Sequence, residues 1–126
     1  MLKKEVIALV TKSIEVKFEF EGFHKWKAAP EEVSFLRDLH RHTFKVTFQS
    51  NVQHSDRDLE FILVKRELQG YTKNICELLG ENASCEVFAE FFLEKFFSNH
   101  EDVLWAKCKV SEDGENAGIV EYNYLP

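Results

Sequence analysis

Apolar and polar residues alternate along two stretches in the first half of the chain. Across residues 13–24, Ile14, Val16, Phe18 and Phe20 hold one parity while Glu15, Lys17, Glu19 and Glu21 hold the other. That is the period of a strand with one buried face. His24 keeps the apolar parity two residues past Gly22, and this glycine points to a bulge or a close backbone approach. The pattern returns at residues 39–48, where His40, His42, Phe44, Val46 and Phe48 face one side. Arg41, Thr43, Lys45 and Thr47 face the other. Residues 3–10 are read as an extra strand or a lead-in.

The stretch between the two strands, residues 25–39, holds Pro30, which breaks regular structure at its predecessor. A short helical turn is predicted over residues 31–36. A connection of this length is more often functional than a bare hairpin turn. Residues 49–58 are polar and turn-like, and His54, Asp56 and Asp58 there read as a solvated tip rather than a metal or proton-relay cluster.

The period then changes. Val64, Leu68, Tyr71, Ile75, Leu78 and Leu79 follow a 4-3-4-3 spacing, predicting one amphipathic helix that Gly70 weakens and Gly80 caps. A second helix is predicted from Ser84, a good N-cap, with Glu86 in its first turn where the helix dipole favours a carboxylate. Its apolar residues Val87, Phe88, Phe91, Phe92, Leu93, Phe96 and Phe97 cover more than one packing surface. Core packing accounts for part of that breadth and a subunit interface for the rest. Strand character resumes over residues 103–111, with Glu112 continuing the parity of Ala106, Cys108 and Val110. After a turn cluster at 113–118, a last strand is predicted over 119–124. The order is β-β-α-α-β-β: one α+β domain over residues 1–126, a four-stranded antiparallel sheet with two helices on one face.

Composition narrows the function classes. The chain has 126 residues, 44% hydrophobic and 30% charged, enough for one domain with a real core. Twelve phenylalanines imply a core or interface built on aromatic rings. A net charge of −6 gives no electrostatic case for nucleic acid or an anionic membrane. No apolar run reaches the length of a membrane span. The first ten residues carry Glu5 and lack a small-residue cleavage site, so they are not read as a signal peptide. The three cysteines, Cys76, Cys85 and Cys108, share no CxxC spacing; they suit buried thiols in a reducing compartment, and the cytoplasm is expected.

The histidines supply the candidate chemistry. Two imidazoles two residues apart on one strand face can converge on a point, as zinc ligands do. An isolated His-x-His is more often a surface pair. Folding residues 13–48 as a hairpin, however, brings His24 beside His40 and His42. Three histidines leave one tetrahedral position open, the arrangement of a catalytic zinc site.

These segments resemble the 6-pyruvoyl-tetrahydropterin synthase and 6-carboxytetrahydropterin synthase family, of the tunnelling fold. The resemblance covers residues 13–124. Glu21-Gly22-Phe23-His24 is similar to the family's Phe-small-small-His, and Leu39-His40-Arg41-His42-Thr43-Phe44 to its Leu-His-Gly-His-Asn-Tyr. The resemblance implies that His24, His40 and His42 bind zinc. Ser84-Cys85-Glu86-Val87-Phe88-Ala89 is similar to the opening of the family's second helix, and Val110-Ser111-Glu112 to its Val-x-Glu. It therefore implies that Glu112 accepts hydrogen bonds from a pterin or purine-derived ligand, with Glu86 lining the same pocket. It further implies a homo-oligomer, trimer or hexamer, whose strands close a barrel.

Three departures accompany the match. Residues 25–39 contain no cysteine, where the family carries its proton-transfer cysteine. Residues 78–83 lack the family's Asp-His pair. Arg41 stands where the family has glycine, a bulky cation expected beside the metal. Two readings follow: a zinc-dependent synthase-like lyase acting on a dihydroneopterin-triphosphate-like ligand, with Glu31, Glu32, His54 and His100 as the available proton carriers, or a non-catalytic binder of pterins or nucleotides on the same fold. A third, a structural oligomer without ligand, leaves the histidines idle.

Overall fold

Alternation in the first half of the chain becomes two long paired strands. A computed structural model describes residues 8–124. β1 (Lys12–His24) runs antiparallel to β2 (His40–Val52), with Val16 opposite Phe48, Phe20 opposite Phe44 and His24 opposite His40. β2 extends through residues 49–52, past the predicted end; Ser50 is buried there despite its polarity. β3 (Trp105–Glu112) pairs with β2, and β4 (Ala117–Asn123) with β3. The sheet order is β1-β2-β3-β4, all antiparallel, the four-stranded α+β architecture the sequence predicts. Residues 3–7 of the predicted lead-in lie outside the described residues, and residues 8–11 are not strand.

The expected single helix over residues 64–79 is two. α1 (Phe61–Gly70) ends in a turn, and α2 (Ile75–Leu79) restarts after Asn74, which adopts left-handed backbone angles. The Thr72 hydroxyl donates to the Gln69 carbonyl at 2.7 Å, one of the local side-chain bonds that compete with a continuing helix. Val64, Leu68 and Ile75 are buried, but Leu78 is 67% exposed, so the apolar spacing carried past the break without one continuous buried stripe. Gly80 caps α2 with φ 88°, as predicted.

α3 (Cys85–Asn99) starts at Ser84, whose hydroxyl accepts from the Val87 N–H at 3.2 Å. Its broad apolar face is consumed mostly inside this chain. Phe88, Phe92, Leu93 and Phe96 are fully buried, and Phe91 nearly so. Phe18 meets Phe92 edge-on at 5.4 Å between ring centres, Phe44 meets Phe88 at 4.9 Å, and Phe48 meets Phe96 at 4.8 Å. These edge and tilted geometries suit aromatic quadrupoles. Phe97 instead joins Tyr122 and Tyr124 in a partly exposed aromatic group at β4.

Gly22 marks a close approach, not a bulge, because β1–β2 pairing runs through it in unbroken register. A Cβ at this position would lie 2.6 Å from the Cys76 Sγ of α2 and 3.1 Å from the Phe44 ring. Gly22→Ala is therefore expected to overpack the core and lower stability by about 1–3 kcal/mol in urea unfolding. Adding Cys76→Ala should recover part of that loss, the part due to the sulfur.

Candidate metal centre

Cross-strand pairing builds the site. His24 ends β1 directly opposite His40, which starts β2, and Gly22 lies opposite His42. Directly opposed residues of an antiparallel pair project to the same face with their Cβ atoms roughly 5 Å apart. The three rings meet edge-on, with centres 4.6 Å apart for His24–His40, 4.9 Å for His40–His42 and 5.3 Å for His24–His42. One ligating nitrogen from each lies within 4.8 Å of the others. Phe44 is the floor beneath, its ring centre 5.1 Å from His24 and 5.7 Å from His42.

Each imidazole is held by its other nitrogen. His24 Nδ1–H donates to the Ala83 carbonyl at 2.9 Å, and His40 Nδ1–H to the Asp38 carbonyl at 2.8 Å. His42 Nδ1 meets the Asp113 carboxylate at 2.7 Å. A carbonyl only accepts, so the proton sits on Nδ1 and the Nε2 lone pair is turned toward the shared centre. Metal-binding histidines are held in this way. The Nε2 atoms of His40 and His42 are buried and make no hydrogen bond among the described residues. Orphaned buried nitrogens are costly. A cation shared by the three lone pairs removes that cost, and the donor set suits a borderline metal ion such as zinc.

The electrostatics favour a neutral His24. Burial pulls the His24 pKa below the ordinary histidine value, with the bond to Ala83 and the charge of Glu112 opposing that shift. The hydrogen bond from His42, with a second from the Thr43 N–H, holds the Asp113 carboxyl below its usual range. Asp113 also donates its own N–H to the Thr43 carbonyl at 2.8 Å, which latches the β3–β4 turn onto the start of β2. Its positive φ of 56° is one that aspartate tolerates better than most residues.

The site opens into a cleft of about 440 Å³ between β1, the start of α3 and the β3–β4 turn, within the range of small-molecule sites. His24, His40, Cys85, Glu86 and Glu112 line it. Gly118 of β4 lets the start of α3 sit close: a Cβ there would fall 2.8 Å from the Glu86 backbone nitrogen and against its carboxylate. Glu112 Oε1 lies 3.3 Å from His24 Nε2, and Oε2 lies 3.3 Å from His42 Nε2.

Some expectations are redistributed. Arg41 is not beside the metal; it points to the outer face and pairs with Glu21, as its parity requires. Glu31 and Glu32 sit in the kinked 3₁₀ segment Glu31–Arg37, where Glu31 is 3.4 Å from Arg37. Neither lines the cleft. His54 faces Asp58 at 3.6 Å in an exposed turn, and His100 bonds Glu67 at 2.7 Å at the opposite end of α3. Both lie away from the imidazole cluster.

The sequence reading missed Asp113, Asp38, Ala83 and Cys85. Asp113 was findable from its place next to Glu112; the Asp38 and Ala83 carbonyls carry no side-chain signal. Cys85 brings a thiol into the cleft, 4.0 Å from Glu112 Oε1. Burial, with Glu112 and Glu86 adding to it, pushes its pKa up to about 12, so it stays protonated near neutral pH.

Compared by sequence, the chain matches no protein-family model and no curated protein. Compared by structure, it is similar to the 6-pyruvoyl tetrahydropterin synthase of Plasmodium falciparum, with a TM-score of 0.62 and 15% identity over 89% of this chain and 99% of that one. The Plasmodium vivax 6-pyruvoyl tetrahydropterin synthase gives 0.59 and 14% over the same shares. Similar too, at a TM-score of 0.59 and 13% identity over those shares, is a variant of the P. vivax enzyme in which a glutamate described as a catalytic residue is replaced by alanine. At these identities the shared property is the fold.

Proposed function

We propose that this protein is a zinc-binding member of the tetrahydropterin-synthase group that takes a pterin or related purine-derived ligand into the cleft beside His24 and His40. The observation that carries the reading is the convergence of three histidine nitrogens within 4.8 Å, each ring held from behind through Nδ1. The shared fold with two 6-pyruvoyl tetrahydropterin synthases supports the choice of ligand class.

His24, His40 and His42 hold the ion. Zinc, when bound, would polarise a ligand carbonyl or hydroxyl. The chain's own groups do the rest. Asp113 and the Ala83 and Asp38 carbonyls keep the imidazoles oriented. Glu86 and Glu112 offer acceptors for ligand N–H groups along the cleft. Phe44 and Phe88 exclude water from below.

A cysteine is not the one group that can move a proton. In the P. vivax enzyme a glutamate is the residue described as catalytic. Here Glu31, Glu32 and Asp38 are the carboxylates of the connection between His24 and His40, and none of them lines the cleft. A second reading, binding without turnover, is favoured by one observation: the thiol that does line the cleft, Cys85, is held protonated and so is a poor base.

Among the described residues β1 and β4 are the outer strands of the sheet, and β1 is 13 residues long. Long open edges invite further strand pairing, so we propose a homo-oligomer closed through β1 and β4, a trimer or a pair of trimers.

Three outcomes are expected. Elemental analysis of protein prepared without chelator should find near-stoichiometric zinc, lost in the His40→Ala, His42→Ala double variant; equal metal in both would sink the metal assignment. Incubation with dihydroneopterin triphosphate should give a product whose formation His42→Ala abolishes, whereas binding without product would select the second reading. Light scattering should report a trimer or hexamer, and a monomer at micromolar concentration would remove the assembly.

A further inference from the structure

We propose that Trp26 is the stacking platform of the cleft, selecting a flat nitrogen heterocycle that lies on the indole with its N–H edge toward Glu86 and Glu112. The proposal rests on the ligand reading above and deepens it. Three observations carry it.

The first is a ring without a partner. Trp26 lines the cleft and is 50% exposed. Among the described residues no aromatic ring or cation meets its face, and its Nε1–H finds no acceptor. Trp105 is the contrast: it lies outside the cleft, half-buried, and its Nε1–H donates to the Glu121 carboxylate. Indoles kept inside a fold usually find such a partner.

The second is rigidity. Exposed rings such as Phe23 and Phe35 are ordinary surface features, and neither lines the cleft. Trp26 is fastened through its own backbone and that of both neighbours. Its N–H donates to the Leu36 carbonyl at 2.7 Å, and its carbonyl accepts from the Ala29 N–H at 3.0 Å. The Lys25 N–H donates to the Glu81 carbonyl at 2.7 Å and the Lys27 N–H to Asn82 Oδ1 at 3.2 Å. With only two side-chain torsions to fix, an indole on an anchored backbone costs little to order around a ligand.

The third is the company the ring keeps. Leu36 lines the same cleft, and so do the carboxylates of Glu86 and Glu112. Carboxylates accept from N–H donors, while an indole face holds a flat π system. Together they favour a planar ring with N–H groups along one edge over an aliphatic acid or a bare anion. A cleft of about 440 Å³ has room for such a ring beside the imidazoles.

The test uses neopterin as probe and the zinc-loaded full chain, with affinity measured by calorimetry. Trp26→Leu keeps an apolar side chain and removes the π face. It should weaken neopterin binding roughly 5- to 100-fold, the range of base–aromatic stacking. Trp26→Phe should restore most of that loss, and Trp105→Phe should bind as wild type does. Zinc content should be the same in all four proteins. In proton NMR the aromatic C–H of neopterin should move upfield on binding wild type, under the indole ring current, and not on binding Trp26→Leu.

Equal neopterin affinity for wild type and Trp26→Leu overturns the proposal and leaves the cleft reading intact. Trp26→Phe binding as weakly as Trp26→Leu overturns it too, because stacking needs only a ring. Failure of zinc-loaded wild type to bind neopterin at all removes the ligand reading, and the proposal with it.

Discussion

The register between β1 and β2 is the constraint on which the site depends. Pairing His24 with His40 and Gly22 with His42 puts three imidazoles on one face of the sheet. A slip of one residue would turn the His24 ring to the opposite face, together with Phe18 and Phe20. The same parity that buries Phe20, Phe44, Val46 and Phe48 thus aims the histidines. Core and site are one pattern, and Phe44 belongs to both: it packs on Phe20 and Phe88 below and on His24 and His42 above.

Around this register, segments distant in sequence converge as an outer shell. The loop joining α2 to α3 is stitched to the end of β1 by three bonds. His24 Nδ1–H donates to the Ala83 carbonyl, the Lys25 N–H to the Glu81 carbonyl and the Lys27 N–H to Asn82 Oδ1. The β3–β4 turn is fastened to the start of β2 through Asp113. Residues 78–83, read from sequence as lacking an Asp-His pair, thereby contribute a backbone carbonyl that orients an imidazole. Close approaches at Gly22 and Gly118 let α2 and α3 sit near enough for these bonds to form.

Much of this was legible in the sequence because it rests on period and parity. The two-residue alternation of Val16, Phe18 and Phe20 located β1, and the same parity placed His24, His40 and His42 together. Ser84 marked the start of α3. The helix break at residues 71–74 was not legible, because Tyr71, Ile75 and Leu78 keep a helical spacing across a turn made by Thr72 and Asn74. The breadth of the α3 apolar face was legible but its use was not: Phe88, Phe91 and Phe92 are covered by this chain's own sheet and helices. Least legible was the outer shell. Carbonyls such as those of Asp38 and Ala83 belong to every residue type, so only the fold reveals which ones face a ring nitrogen.

The central claim is that the Nε2 atoms of His24, His40 and His42 share one metal ion. A crystal grown with zinc, measured on both sides of the zinc absorption edge, tests it directly. The account predicts an anomalous peak about 2.0–2.1 Å from all three Nε2 atoms. A peak at His54 or His100 alone, or none between the three imidazoles in zinc-saturated protein, would contradict it.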